Sequence, residues 1–255
     1  MSGIIFFDVD GTLVDTVTHK VKDSTLFALE MLRMKGYKLC IATGRSLTSY
    51  MTNDLHRHFK FDAYIVNCGQ SIYDKDRNII KESFIPEETV NEVIRISKKL
   101  GYTVNLKTNP RMMVGTYNEY VQQFQDYFRN TIGYFGEYNG EECAALIVHG
   151  PMGYDYAPYK EIEGLEVKPG LSTFADMTMK GVTKYAAIKD VLDLFGYDEY
   201  IAFGDSQNDM DMLEHAKVSI CLGNGDDKAK AISDHVAKDL LDDGIYWICK
   251  DLGYI

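Results

Sequence analysis

Apolar and polar positions along the chain follow two rhythms. Ile4, Ile5, Phe6 and Phe7 form an unbroken apolar run, the pattern of a strand buried on both faces, as in parallel sheets. DSTLFALEMLRMKGY then places Leu26, Leu29, Leu32 and Met34 on one helical face, with Asp23 or Ser24 as cap and Gly36 as stop. YKLCIATGR predicts a second buried strand, residues 46–58 a helix and DAYIVN a third strand. This β-α-β-α-β alternation predicts a doubly wound parallel sheet.

The rhythm then changes. GQSIYDKDRNIIKES reads as a hairpin with a polar turn near Asp76, and a helix follows Pro86 through Leu100, ended by Gly101. YTVNLKT and RMMVGTY are strand-like, residues 118–131 helical, and CAALIVHG, LEVKPG and STFADMT further strands. Several strands with two helices indicate an α+β insert with a partly antiparallel sheet. From Gly181 the first rhythm returns: helix 183–195, strand EYIAFGD, helix 207–215, strand VSICLG and helix 226–233. The expected fold is α/β: a Rossmann-like doubly wound core of residues 1–82 and 181–255, interrupted by a second lobe over 83–180. The crossings near 82–84 and 178–181 are the expected hinge.

Composition narrows the function classes. A net charge of −11 argues against a nucleic-acid or anionic-membrane partner, although a local site can still be positive enough for a phosphorylated substrate. No apolar run approaches the roughly 20 residues needed to span a bilayer. The N-terminus enters the first strand without a signal-peptide pattern. The five cysteines are scattered and form no C-x-x-C pair, so reduced thiols in a cytoplasm are expected, with Cys40 and Cys221 as small core residues. His56 and His58, two apart on a predicted helix, face apart and read as solvated.

The chemistry lies at the strand ends. The first strand runs into Asp8 and Asp10, the second into Thr43, and the strand EYIAFGD into Asp205, Asn208 and Asp209, while Lys184 opens a helix. Burying unpaired charge is costly unless a cation or hydrogen bonds compensate. Open parallel sheets bind ligands beyond the carboxyl ends of their strands, which brings these residues to one place. Three or four carboxylates describe a hard, oxygen-coordinated Mg2+ site rather than zinc. A lysine and a threonine there can hold a phosphoryl group. One carboxylate can act as nucleophile, forming an aspartyl-phosphate, and a second as general acid and then base.

In this order the motifs resemble those of the haloacid dehalogenase superfamily: D-x-D-G-T at Asp8–Thr12, Thr43, Lys184, and G-D-x-x-N-D at Gly204–Asp209. ATGR, KGVTK and the large insert are similar to the Cof-type phosphatases, with Asn67-Cys68-Gly69 where family members more often read Asn-Gly. The resemblance implies that Asp8 is nucleophile and metal ligand, and that Asp10 is the acid/base whose backbone carbonyl also binds Mg2+. It implies that Thr43, Gly44 and Lys184 hold the phosphoryl group, that Asp205 is a direct metal ligand, and that Asp209 supports the metal through water or hydrogen bonds. Asn208 is expected to orient Lys184 or the phosphoryl group. Lys180 competes with Lys184, which better matches the family position after Gly-Val-Ser/Thr. The insert becomes a substrate-specificity cap.

An acid at Asp10 suits protonation of an alcohol leaving group, favouring phosphatase or phosphomutase over dehalogenase or ion pump. The expected protein is a cytoplasmic Mg2+-dependent phosphatase of a small phosphorylated metabolite, plausibly a sugar phosphate, as a monomer or weak homo-oligomer. A sugar phosphomutase is the alternative; a phospho-receiver or ligand-sensing protein fits less well. Weaker signals are Arg45, which can reach substrate or pair near a helix start, Asn67 as a turn residue, and Arg111, Tyr117 and Tyr120 in the insert. LGNGDD lacks the third glycine of a dinucleotide loop and reads as a strand-to-helix turn with Asp226 or Asp227 at the helix N-terminus.

Overall fold

Strand β1 (Ile4–Phe7) is buried along its whole length. Ile5 and Phe7 enter one core cluster, and Ile4 and Phe6 another, as a strand covered on both faces requires. The structure, a computed structural model, describes residues 3–52, 54–128, 132–170 and 172–255. The chain divides into two units, Met1–Lys81 with Thr183–Ile255, and Glu82–Val182.

After β1 come α1 (Asp23–Met34), β2 (Lys38–Ala42), α2 (Leu47–Met51), α3 (Asp54–His58), β3 (Ala63–Val66), β4 (Ser71–Asp74) and β5 (Ile79–Glu82). The second unit holds α4 (Glu87–Leu100), β6 (Thr103–Leu106), β7 (Met112–Val114), α5 (Glu119–Phe128), β8 (Tyr134–Phe135), β9 (Leu146–His149), α6 (Ala157–Lys160), β10 (Leu165–Pro169) and β11 (Phe174–Met179). The first unit is completed by α7 (Lys184–Phe195), β12 (Ile201–Gly204), α8 (Met210–Glu214), β13 (Val218–Cys221), α9 (Asp227–Ile232), β14 (His235–Val236) and α10 (Gly244–Asp251).

In the first unit the strands run β14-β13-β12-β1-β2-β3-β4-β5. Pairing from β14 to β3 is parallel, and β4 joins β3 antiparallel. The chain winds outward from β1 through β2 and β3, then later through β12, β13 and β14 on the other side. The order therefore reverses at β1 and β12, the switch point where such sheets open a crevice. One face packs on Leu29 and Leu32 of α1 and Ile245 and Cys249 of α10. The other packs on Ala187, Ile188 and Val191 of α7.

The second unit's sheet runs β10-β11-β9-β6-β7-β8, antiparallel except for the β7–β8 pair. Val104, Leu106, Leu146, Val148, Ala175 and Met177 face Val90 and Val93 of α4 and Tyr159 of α6. The opposite face carries Thr103, Asn105, Ile147, His149 and Phe174 in register. Phe124 of α5 packs there against Ile147 and Phe174.

Several expectations need correction. Met34 is 79% exposed, because it lies ~140° round the helix from Leu29; the buried face is Thr25, Ala28, Leu29 and Leu32. Neither Asp23 nor Ser24 caps α1: Lys22 holds that position, and Ser24 Oγ donates to Asp243 at 2.7 Å. The helix expected over 46–58 is two short helices, α2 and α3. The helix expected over 207–215 opens as a 3-10 turn at Gln207–Asp209. Of the helix expected over 118–131, α5 covers Glu119–Phe128, and 129–131 lie outside the described residues. The pattern did not predict β8, α6, β14 or α10. Among the described residues, no helix is long and apolar enough to cross a membrane.

Candidate active site

Asp8 extends the β1–β12 pairing, its N–H donating to Phe203 O at 2.9 Å. The chain then turns sharply: Leu13 and Val14 both donate to Val9 O, at 2.9 and 2.8 Å. Gly11 takes φ +87°, and a Cβ there would collide with the Asp205 carboxylate. Only glycine meets both demands. Asp205 follows β12, and Thr12 Oγ1 donates to Asp205 Oδ1 at 2.8 Å, tying the two turns together.

Asp8, Asp205 and Asp209 each offer a carboxylate oxygen within 4.8 Å of the others. Lys184, the first residue of α7, is 1% exposed. It donates to Asp8 Oδ1 and Asp209 Oδ1 at 2.6 Å each and to Asn208 Oδ1 at 3.3 Å. Lys180 is exposed. The position of Lys184 follows from two local features. Thr183 caps α7 by accepting from Ala186 N at 3.1 Å, and Gly69, at φ +104°, lets the β3 turn approach the Thr183 carbonyl where any Cβ would clash. The second oxygen of Asp209 accepts from the N–H groups of Asp205 and Ser206 at 3.1 and 3.0 Å and from Ser206 Oγ at 3.1 Å. Asp209 is thus an anchor with both oxygens engaged.

The electrostatics record the crowding. Burial raises the Asp8 carboxyl well above the usual range; Lys184 opposes the rise, while Asp209, Asp205 and Asp10 add to it. Burial also pushes Asp205 up to about 7, with Asp209 and Asp10 adding and Thr12 and Lys184 opposing. Burial by itself would lower Lys184, but Asp209 and Asp8 outweigh it and hold the ammonium above its ordinary value. Three carboxylates thus share one lysine. All the donors are oxygens, a set that suits a hard cation.

Asp10 stands apart from this group. Arg45 Nε and Nη2 donate to its two oxygens at 2.6 Å each, a bidentate pair. Burial would lower the Arg45 guanidinium, but Asp10 and, more weakly, Asp8 raise it. Thr43, 1% exposed, follows directly on β2, and its Oγ1 accepts from Arg45 N at 3.1 Å. A Cβ on Gly44 would lie 3.3 Å from Cys68 Sγ and 3.9 Å from Asn208 Nδ2, so these turns adjoin. Asn67 and Cys68 take φ of 51° and 57°. Their N–H groups donate to Arg45 O at 2.8 Å and Thr43 O at 3.0 Å, bracing that turn from behind.

Pattern reading missed the partners of Thr12 and Ser206. The signals were present as the threonine of D-x-D-G-T and the S-x-x-D spacing of a capping box. In LGNGDD, Asp226 caps α9, accepting from Lys228 N at 2.8 Å. Among the candidates in the second unit, Tyr117 is exposed, Tyr120 meets Tyr102 edge-on at 5.8 Å, and burial lowers the Arg111 guanidinium.

The haloacid dehalogenase-like hydrolase family matches residues 5–248. YkrA of Bacillus subtilis (strain 168), named as a phosphatase, is 26% identical over 263 residues, covering 100% of this chain and 99% of its own. The 5-amino-6-(5-phospho-D-ribitylamino)uracil phosphatase YitU of the same organism is 24% identical over 264 residues, covering 97% and 96%. The solved structure of the HAD subclass IIB sugar phosphatase BT4131 is 28% identical with a TM-score of 0.84, covering 100% of both chains. A match that spans both halves of the divided core, with motif residues converging at its switch point, places this chain in the haloacid dehalogenase-like hydrolase family, among the Cof-type phosphatases.

Proposed function

We propose that this protein is a Mg2+-dependent phosphatase that hydrolyses a small phosphorylated metabolite through an aspartyl-phosphate on Asp8. The observation that carries the reading is the buried Lys184 ammonium bonded to both Asp8 and Asp209. It keeps one carboxylate fixed at the sheet's switch point beside a cation that can also hold phosphoryl oxygens.

Asp8 attacks phosphorus as the ester P–O bond breaks, and Asp10, which takes up a proton on leaving Arg45, gives that proton to the leaving oxygen. Asp10 then takes a proton from water as that water attacks phosphorus, which releases phosphate and restores Asp8. For both steps Asp10 exchanges its Arg45 bonds for the leaving oxygen or the water. Thr43, Gly44, Lys184 and Asn208 hold the transferring group. Mg2+, when bound, supplies positive charge against the carboxylates and the phosphoryl oxygens. Asp8, Asp205 and the Asp10 carbonyl would hold it, with Asp209 acting through its hydrogen bonds. The second unit acts as the substrate-specificity cap. A sugar phosphate is the favoured substrate, because the similar BT4131 is named a sugar phosphatase. A cytoplasmic setting accords with the free cysteines.

The test is phosphate release from a panel of phosphorylated metabolites with Mg2+ and no bisphosphate activator. Asp8→Asn is expected to keep its circular-dichroism spectrum and lose turnover. Retained turnover would remove Asp8 from the nucleophile role, and a strict need for a bisphosphate would favour a mutase.

A further inference from the structure

The loop between β13 and α9, Leu222–Asp226, carries no group that the reaction uses, yet it touches both carboxylate-bearing turns. Asn224 Nδ2 donates to Gly11 O at 2.7 Å, and Asp226 N donates to Asp205 O at 2.7 Å. On the other side Asn224 Oδ1 accepts from Leu240 N at 2.9 Å, and Gly223 N donates to Lys238 O at 3.1 Å. The loop is wedged: a Cβ on Gly225 would lie 2.7 Å from Asp205 O, and one on Gly223 2.6 Å from Asp239 N.

A strand-to-helix turn by itself needs none of these contacts. Its own closure is met by Gly225 N to Leu222 O at 2.9 Å and by the Asp226 cap. The bond to Gly11 lands on the turn whose conformation sets the Asp10 carbonyl, and Gly11 lies beside the Asp205 carboxylate with no room for a Cβ between them. We infer that Asn224 is a positioning residue that, with the Asp226 N–H, holds the Asp8–Asp10 turn and the Asp205 turn at the spacing a divalent cation requires. The 237–240 segment is its backing. This rests on the proposed Mg2+ chemistry. Groups that orient metal ligands from behind typically change metal affinity by 10–100-fold when removed. Asn224 is itself solvent-exposed, so its amide can be deleted with little loss of buried packing.

The test uses full-length protein and follows thermal unfolding against Mg2+ concentration, with calorimetric Mg2+ titration as a second readout. Asn224→Ala is expected to leave the metal-free midpoint near wild type and to raise the half-saturating Mg2+ concentration by about tenfold. Asn224→Asp keeps an acceptor for Leu240 N but sets a carboxylate against the Gly11 carbonyl. It is expected to weaken Mg2+ as well, although its added charge alone would strengthen it. An unchanged Mg2+ response in Asn224→Ala, or tighter binding in Asn224→Asp, would overturn the positioning role while leaving the phosphatase reading in place. A wild-type protein without any Mg2+ response would remove the cation reading itself and this role with it.

Discussion

The strand-end cluster of the first unit and the face of the second unit's sheet beneath α5 bury polar side chains equally deeply, but differently. Lys184, Asp8 and Asp209 are 1%, 4% and 0% exposed, and each is bonded. His149 and Asn105 are both 0% exposed. Their ring nitrogens and amide atoms find no hydrogen-bond partner among the described residues. An unpaired neutral group costs about 1–3 kcal/mol in a protein interior, a cost a folded domain can carry. An unpaired charge costs far more and is avoided. In the strand-end cluster the deeply buried charges of Lys184, Asp8 and Asp209 compensate one another, at the place where chemistry can use them. On the other face burial keeps the imidazole neutral, pushing His149 down to about 4.

Removing compensation should have the largest effect. Lys184→Met leaves Asp8 and Asp209 facing each other without a cation, and breaking a buried pair this way costs about 3–5 kcal/mol. Urea unfolding should show that loss, with part of it restored by Mg2+. A loss below about 1 kcal/mol would mean the carboxylates are compensated from elsewhere.

Acid should act on the other region. His149 is neutral when folded, with a value near 4, against about 6.5 when unfolded. Between these values the unfolded chain binds more protons. Stability contributed by this group is thus intact above about pH 6.5 and falls as the pH drops towards 4, by about 3 kcal/mol in all. Comparing urea unfolding at both ends of that range, His149→Phe should have a shallower loss than wild type. Equal slopes would show that the ring finds a partner when protonated.

The smallest effect is expected at Asn105. Asn105→Leu removes an uncompensated amide at nearly constant volume, so its melting temperature should match or slightly exceed wild type, a change within about 1 kcal/mol. A large drop would show that the amide makes a bond in solution, and the contrast between the two regions would weaken.

Much of this was legible in the chain because its signals are local. The run Ile4–Phe7 reads as a doubly buried strand from its composition alone, and Asp8 is conspicuous because it ends such a run. The short elements β8, β14 and α6 were not legible, since two to four residues carry no period. The split of α2 from α3 was hidden for a different reason: an apolar face can continue across a break in the helix. Met34 misled because it is apolar but falls outside the stripe.

By itself the sequence determined the parallel rhythm, the interruption of that rhythm, which carboxylates and threonine stand at strand ends, and which lysine opens a helix. Those follow from periodicity and residue chemistry over a few turns. Only the tertiary structure decided partners. Lys184 meets Asp8 across 176 residues, Asn224 meets Gly11 across 213, and Arg45 takes both oxygens of Asp10 across 35. Such pairings depend on strand order and register, and on glycines that let turns approach more closely than a Cβ allows. Local patterns carry no information on how far apart two strand ends will lie, because that distance is set when the sheet winds both ways from β1.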